Sequence, residues 1–251
     1  MDYKKHQEKI VQQFSQQAKG YTSIAAHRDA LGQLVQIAEV KEDDTVLDVA
    51  CGSGNVACEF AKHVSHVTGI DITEGMLEEA RAQQDSLGLD NISWDKGDVL
   101  PLPYKNDRFS IVISRFGFHH FLSPEEVTKE MLRVCKTGGR VMIVDVSLPE
   151  EKLEAYNKME KLRDPSHSAA LSQNQFEQLI NLAGLNDIKR FRYRMKIGLD
   201  QQLRASFPTD RDKLKEIIIQ DVGLDQLGIS ATKEGDEVYL HYPIHIYCGR
   251  K

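Results

Sequence analysis

The chain reads as an α/β protein, a mostly parallel sheet with helices on both faces. Three observations predict this. Short apolar runs of strand character, Val46–Val49, Phe109–Ser114 and Val141–Val146, alternate with longer segments of helical period. The first run leads through an acid and a glycine turn, Asp48-Val49-Ala50-Cys51-Gly52-Ser53-Gly54, straight into a helical stripe. At 251 residues, 41% hydrophobic and 28% charged, the chain is long enough and apolar enough for a full globular core.

The elements follow in order. Residues from about Lys4 to Gly20 carry Ile10, Val11, Phe14 and Ala18, a modest helical stripe, and Leu31, Leu34, Val35 and Ala38 form a stronger one. Val46–Val49 is the first strand, and Val56, Ala57, Phe60, Ala61 and Val64 line one face of the helix after the glycine turn. Val67–Ile72 is a second strand and Phe109–Ser114 a fourth. Ser123-Pro124-Glu125-Glu126 has the form of a capping box with proline at the first helical position, and Gly138-Gly139 reads as the stop of that helix. Val141–Val146 is the fifth strand. Ser172-x-x-Gln175 opens a helix with Phe176, Leu179, Ile180 and Ala183 inward and Gly184 as its stop.

The last strands are expected near Ile188–Ile197 and Val238–Cys248. In the former, Lys189, Arg190, Arg192, Arg194 and Lys196 are interleaved with Phe191, Tyr193 and Met195, the pattern of a strand with one wet face. The connection from Leu199 to Asp236 is too long for a tight hairpin, and Ile217 and Ile218 within Lys213–Val222 predict helix there.

Glycines in the turn after Asp48 supply backbone angles that other residues avoid and let a ligand approach the main chain. Gly52-Ser53-Gly54-Asn55-Val56-Ala57 also satisfies the dinucleotide pattern G-x-G-x-x-G/A, a weak match by itself. The preceding acid separates the two cofactor classes. A carboxylate repels a pyrophosphate and attracts an ammonium or sulfonium, and no Lys or Arg lies between Val46 and Glu59 to neutralise a phosphate. Asp71, nineteen residues after Gly52, suits a carboxylate that accepts from ribose hydroxyls, a spacing that serves NAD and S-adenosylmethionine sites alike. Each acid also has a plain structural reading: Asp48 beside a helix start, Asp71 as a cap near Thr73, Asp98 in a surface turn.

With Asp48-x-x-x-Gly52-x-Gly54 and Asp71 the chain resembles the class I S-adenosylmethionine-dependent methyltransferases. Lys96-Gly97-Asp98-Val99-Leu100-Pro101-Leu102-Pro103 resembles the segment in which an acid of that family accepts from the adenine amino group and the next backbone N–H meets a ring nitrogen. The resemblance implies a Rossmann-like seven-stranded sheet with the last strand inserted antiparallel between the fifth and sixth. It implies a cofactor site of Tyr21, Asp48, Ala50, Gly52, Gly54, Asp71, Ile72, Met76, Asp98, Val99 and Ser114, with Met76 against the adenine face. Arg115-Phe116-Gly117-Phe118-His119-His120-Phe121 and Leu132–Gly139 look like the branch containing ubiquinone and menaquinone biosynthesis methyltransferases, with Thr137 where that branch usually has proline.

The expected organisation is one methyltransferase domain over 1–251, with a helical cover in 1–40 and a helical insertion in 199–236 near the active site. Ligands of such sheets bind beyond the carboxyl ends of the parallel strands, so the segments after the fourth and fifth strands supply the acceptor site. His119, His120 and His167 are the candidate bases, since an ordinary histidine titrates near operating pH. Arg115, Phe116, Arg163 and Asp164 are the candidate substrate contacts; for the histidines and for the Arg163–His167 cluster a structural role is the alternative.

Composition narrows the partners. A net charge of −6 argues against a polyanion, and Ser114-Arg115-Phe116-Gly117 lacks the polar-Pro-Pro-aromatic pattern of base-amino methyltransferases. No membrane-spanning run, amino-terminal leader or metal-ligand spacing is present in the sequence. Cys51, Cys58, Cys135 and Cys248 read as reduced cytosolic thiols, with Cys51 exposed to alkylation in the cofactor loop. The expectation is a cytoplasmic enzyme that uses S-adenosylmethionine to methylate a small molecule, quinone-like or a small oxygen or nitrogen nucleophile. A non-catalytic S-adenosylmethionine-binding regulator and an NAD-linked oxidoreductase are the competing classes. The residues carry no signal of oligomeric state.

Overall fold

Apolar strands buried on both faces set the architecture. The computed structural model describes residues 2–251, the side chain of Ser23 excepted. The chain runs α1 (Tyr3–Ser23), a 3-10 turn at Ala25–Arg28, α2 (Leu31–Ile37), β1 (Thr45–Val49), α3 (Asn55–Ala61), β2 (His66–Asp71), α4 (Glu74–Leu87) and β3 (Ile92–Lys96). It continues through β4 (Phe109–Arg115), a 3-10 turn at Phe118–His120, α5 (Pro124–Val134), β5 (Cys135–Leu148), a 3-10 turn at Glu150–Lys152 and α6 (Leu153–Arg163). The remainder is β6 (Leu171–Ser172), α7 (Gln173–Leu182), β7 (Asn186–Gly198), α8 (Leu199–Ala205), α9 (Arg211–Gln220), β8 (Thr232–Glu234) and β9 (Glu237–Arg250).

The strand order is β3-β2-β1-β4-β5-β9-β7, with β6 pairing β5 and β8 pairing β9 off that path. The five strands from β3 to β5 are parallel to their neighbours, while β9 runs antiparallel to both β5 and β7. This is the expected seven-strand path with two short strands added. Alternation along each strand divides the core: Val46, Ile111, Ile113, Met142 and Val144 face one layer, Leu47, Val112, Val141 and Ile143 the other. Parallel strands buried on both sides require such continuous apolar runs, because helices cover each face.

Two turn assignments come out differently. Ser123 is the N-cap of α5 with Pro124 behind it, but its side chain makes no capping bond, and the Glu126 carboxylate pairs with Lys129 at 2.7 Å instead. The backbone of Ser123 (φ −135, ψ 71) lies away from the extended geometry that aims a cap hydroxyl at the third helical N–H. Gly138 and Gly139 do not stop the helix, which ends at Val134; they form a bulge in β5, where the pairing jumps from Phe109↔Cys135 to Ile111↔Arg140. A Cβ on Gly139 would lie 2.8 Å from the Ser110 carbonyl, so the close strand approach is what requires glycine.

Ser172 behaves as read: its hydroxyl accepts from Gln175 N at 3.1 Å while the Gln175 side chain accepts from Ser172 N at 2.8 Å. The helices expected at 4–20 and 213–222 are α1 and α9. β7 is an edge strand in which Met195 and Ile197 are buried, Arg190, Arg192, Arg194 and Lys196 exposed and Lys189 half-buried; Phe191, nearer its start, is 40% exposed. Among the described residues no helix is long and apolar enough to cross a membrane.

Candidate active site

A cleft of about 1040 Å³, counting its open mouth, lies at the carboxyl ends of β1, β2 and β3. Backbone strain marks its walls: Ala50 after β1 (φ 57) and Phe116 after β4 (φ 61) hold left-handed conformations that non-glycine residues avoid, and both line the cleft. Gly52 (φ +53) lies between Ala50 and α3, and a Cβ there would come within 3.1 Å of Met76 Cε, so glycine keeps this wall open.

Three carboxylates enter the cleft. Asp48 is buried, and one oxygen accepts from Ala57 N at 3.1 Å in the first turn of α3. Burial, with the nearby Asp71 charge, pushes its carboxyl up to about 7. Asp71, the last residue of β2, accepts from Gly52 N at 2.9 Å and Thr73 N at 2.8 Å. Burial also raises it, partly offset by those bonds. Asp98 accepts from Tyr3 Oη at 2.9 Å and from Gln7 Nε2 at 2.5 Å, which ties the first turn of α1 over the cleft. The Val99 N–H, expected to be free for a ring nitrogen, is given to Asp98 Oδ1 at 2.7 Å.

Ile72, Met76, Val99, Ala50 and Tyr21 line the cleft as expected. Gly54 and Ser114 do not. A Cβ on Gly54 would sit 2.6 Å from the Trp94 ring, so its role is close packing beneath the loop. Ser114 is fully buried, its hydroxyl unpartnered, behind the turn at Gly117. Cys51 lines the cleft, and burial with the Asp71 and Asp48 charges holds its thiol well above the usual range, which disfavours the thiolate that alkylation needs.

A second chamber of about 650 Å³, counting its open side, adjoins the first, and the two share Phe14, Tyr21, Phe116 and His120. It is walled by α1, α6, α8 and the ends of β5, β7 and β9. His119 lines it, with Nδ1 2.7 Å from Asp145 Oδ1. Asp145 is buried and also accepts from the backbone N–H groups of Phe118 (2.8 Å) and Val146 (2.7 Å). Burial pulls the His119 imidazole down, but the Asp145 charge and hydrogen bond, with Glu160 behind them, carry it above its ordinary value. In the same wall Arg163 Nε and Nη2 reach Glu160 Oε2 at 2.8 and 2.6 Å.

The other candidates are each held by local hydrogen bonds, although His120 lines both cavities and Asp164 the second. His120 Nδ1 lies 3.1 Å from the Ser166 carbonyl, and burial and the His119 charge depress it to about 4. His167 lines neither cavity; its Nε2 is 2.7 Å from Asn157 Oδ1, and burial keeps it neutral. Asp164 turns back to the Ser166 amide and hydroxyl at 2.8 and 2.5 Å. Arg115 edges the cleft, with Nη1 and Nη2 given to the His27 and Asp29 carbonyls and the Tyr193 hydroxyl (2.5 to 3.1 Å), pinning the turn after α1, while its Nε is buried without a partner. Among the described residues no cluster of His, Cys, Asp and Glu is arranged to hold a metal ion.

Sequence reasoning missed Asp145, Glu160, Gln17 and Gln202. Asp145 did carry a signal: it is the lone acid in the apolar run of β5, just as Asp48 is in β1. The rest lie on helices whose approach to the chamber no local pattern encodes.

The sheet order and carboxylate-lined cleft agree with a match to the methyltransferase domain family over residues 40–186. The chain belongs to that family. This methyltransferase is 31% identical over 207 residues to the uncharacterized methyltransferase YcgJ of Bacillus subtilis, covering 80% of this chain and 81% of that one. The crystal structure of YcgJ superposes with a TM-score of 0.79 at 26% identity, over 88% of this chain and 97% of that one. The ubiquinone/menaquinone biosynthesis C-methyltransferase UbiE of Roseobacter denitrificans is 30% identical over 136 residues, a match that spans 54% of UbiE and 53% of this chain.

Proposed function

We propose that the protein transfers a methyl group from S-adenosylmethionine to a small-molecule acceptor. The observation that carries this reading is the set of three carboxyl groups, Asp48, Asp71 and Asp98, in one cleft where Arg115, the one lysine or arginine lining it among the described residues, gives its Nη1 and Nη2 to carbonyls. A pyrophosphate would meet three carboxyl groups and one guanidinium already held by backbone carbonyls; an amino acid ammonium, which favours the ionised form of Asp48, and a ribose find their partners.

In this assignment Asp48 holds the ammonium with the oxygen not used by Ala57 N. Asp71 accepts from the ribose hydroxyls with lone pairs left beyond its two backbone bonds. Asp98 and the Met76 side chain flank the adenine. Bound S-adenosylmethionine supplies a methyl already activated on a sulfonium, so the protein's task is alignment, exclusion of water and removal of a proton. Helix α1, fastened at Tyr3 and Gln7 to Asp98 and at His6 to the His120 carbonyl, serves as the cover. α8, in the 199–236 segment, closes the far side of the chamber. We place the reaction in the cytoplasm, where four buried, unpaired cysteines remain thiols.

Calorimetric titration with S-adenosylmethionine, S-adenosylhomocysteine and NAD in parallel tests the assignment. Saturable binding of the first two with none for NAD is expected. NAD binding alone overturns it.

A further inference from the structure

The chamber beside the cleft has the makings of an acceptor site, and its chemistry is specific. Gln17 on α1 and Gln202 on α8 are 2% and 7% exposed, line the chamber, and leave Nε2 and Oε1 respectively without a partner. Arg163 beside them gives Nε and Nη2 to Glu160. Buried polar groups left this way are costly unless something bound completes them. A long alkyl chain would bury the same groups with nothing to pair to.

The charges argue equally plainly. Arg163 and Glu160 neutralise each other, Asp145 faces His119, and Asp164 is turned to Ser166. No surplus positive charge lines the chamber to receive a carboxylate or phosphate. His119, held at Nδ1 by Asp145, keeps Nε2 for the cavity, and Asp145 is itself fixed by backbone donors from Phe118 and Val146.

We propose that this chamber takes a compact, uncharged acceptor bearing an acidic hydroxyl, and that His119, positioned by Asp145, removes the hydroxyl proton. The step rests on the methyltransferase reading above. The O–H bond breaks, the proton passes to His119 Nε2, and the electron pair stays on the acceptor to form the bond to the incoming methyl as the sulfonium leaves as a neutral thioether. The groups facing the His119 ring are Asp145 from β5, Glu160 and Arg163 from α6, His120 beside it at 4.3 Å between ring centres, and His167 at 5.5 Å.

The test titrates the S-adenosylhomocysteine-loaded protein with catechol, 3,4-dihydroxybenzoate and a decyl-substituted hydroquinone. Catechol should bind at least about tenfold more tightly than the other two, and Gln202→Leu should weaken it about tenfold. Tighter binding of the carboxylated or alkylated probe, or binding of none of the three, overturns the assignment. Failure of S-adenosylhomocysteine itself to bind strikes instead at the methyltransferase reading. Nitrogen-15 NMR of His119 tests the positioning role without turnover. In the parent protein Nδ1 should carry the proton and Nε2 be bare; in Asp145→Asn the proton should move to Nε2 and the titration midpoint should fall, because the amide offers no negative charge. An unchanged tautomer and midpoint in a folded Asp145→Asn protein overturn that role.

Discussion

Asp48→Asn should make the unliganded protein more stable and the ligand weaker, and the two effects have one cause. The Asp48 carboxyl is pushed up to about 7 in the fold, against about 3.9 for an unperturbed aspartate. For an acid raised in this way the penalty is absent below the unfolded value, grows between the two values, and is complete above the folded one. Each unit is worth about 1.4 kcal/mol, so the ionised carboxylate costs the fold about 4 kcal/mol at pH 8 but less than about 2 kcal/mol at pH 5. Asparagine keeps an acceptor for Ala57 N and introduces an amide that needs a partner, a cost of about 1–3 kcal/mol. The expected net gain is about 1–3 kcal/mol at pH 8, with none or a small loss at pH 5. For a chain of this size a kilocalorie moves Tm by about 2–4 °C. Thermal denaturation of both proteins at the two pH values reads the difference directly. In parallel, the affinity of the parent for S-adenosylhomocysteine should rise with pH through 7, because a cationic ammonium favours ionised Asp48, and this rise should vanish in the variant. A variant less stable at pH 8 than the parent, with unaltered affinity, would refute the reasoning.

Other expectations follow from the same geometry. Asp71→Asn should lower S-adenosylhomocysteine affinity by about tenfold in calorimetry while the fold persists, since the amide oxygen still accepts one of the two loop N–H groups. Gly54→Ala forces a Cβ to 2.6 Å from the Trp94 ring at φ +79, and urea denaturation should show a loss of about 1–3 kcal/mol. Tyr3→Phe removes the hydroxyl from Asp98; hydrogen exchange at the start of α1 should speed up while global stability moves by less than about 1 kcal/mol.

Much of the scaffold was legible because its signals are local. Apolar runs such as Val141–Val146 declare buried strands, the 3.6 period of α3 and α7 declares helices, and Ser172 with Gln175 declares a cap, each within a few residues. Turn chemistry was less secure. Gly138-Gly139 reads as a helix stop or a strand bulge from the same letters, and what decides it is the neighbouring strand at Ser110, which is distant in sequence.

The acids of the first cleft were readable for the same reason as the strands: each ends or closely follows a parallel strand, so sequence position alone sends Asp48, Asp71 and Asp98 to one edge of the sheet. Their state was not readable, since the rise of Asp48 comes from burial and from the nearness of Asp71. The second chamber was legible only in part: Phe116, His119, His120, Arg163 and Asp164, named from the segments after the fourth and fifth strands, line it, but the groups they face were not readable. Gln17, Glu160, Gln202 and Tyr242 meet there from three helices and the last strand. Of three adjacent candidate histidines, only the register of β5 beside β4 decides that Asp145 stands behind His119. The sequence by itself thus determined the sheet, its order of strands and helices, and the carboxylates at its edge. Which side chains face one another across the chamber was decided by tertiary packing, because helix approach depends on contacts that no local spacing records.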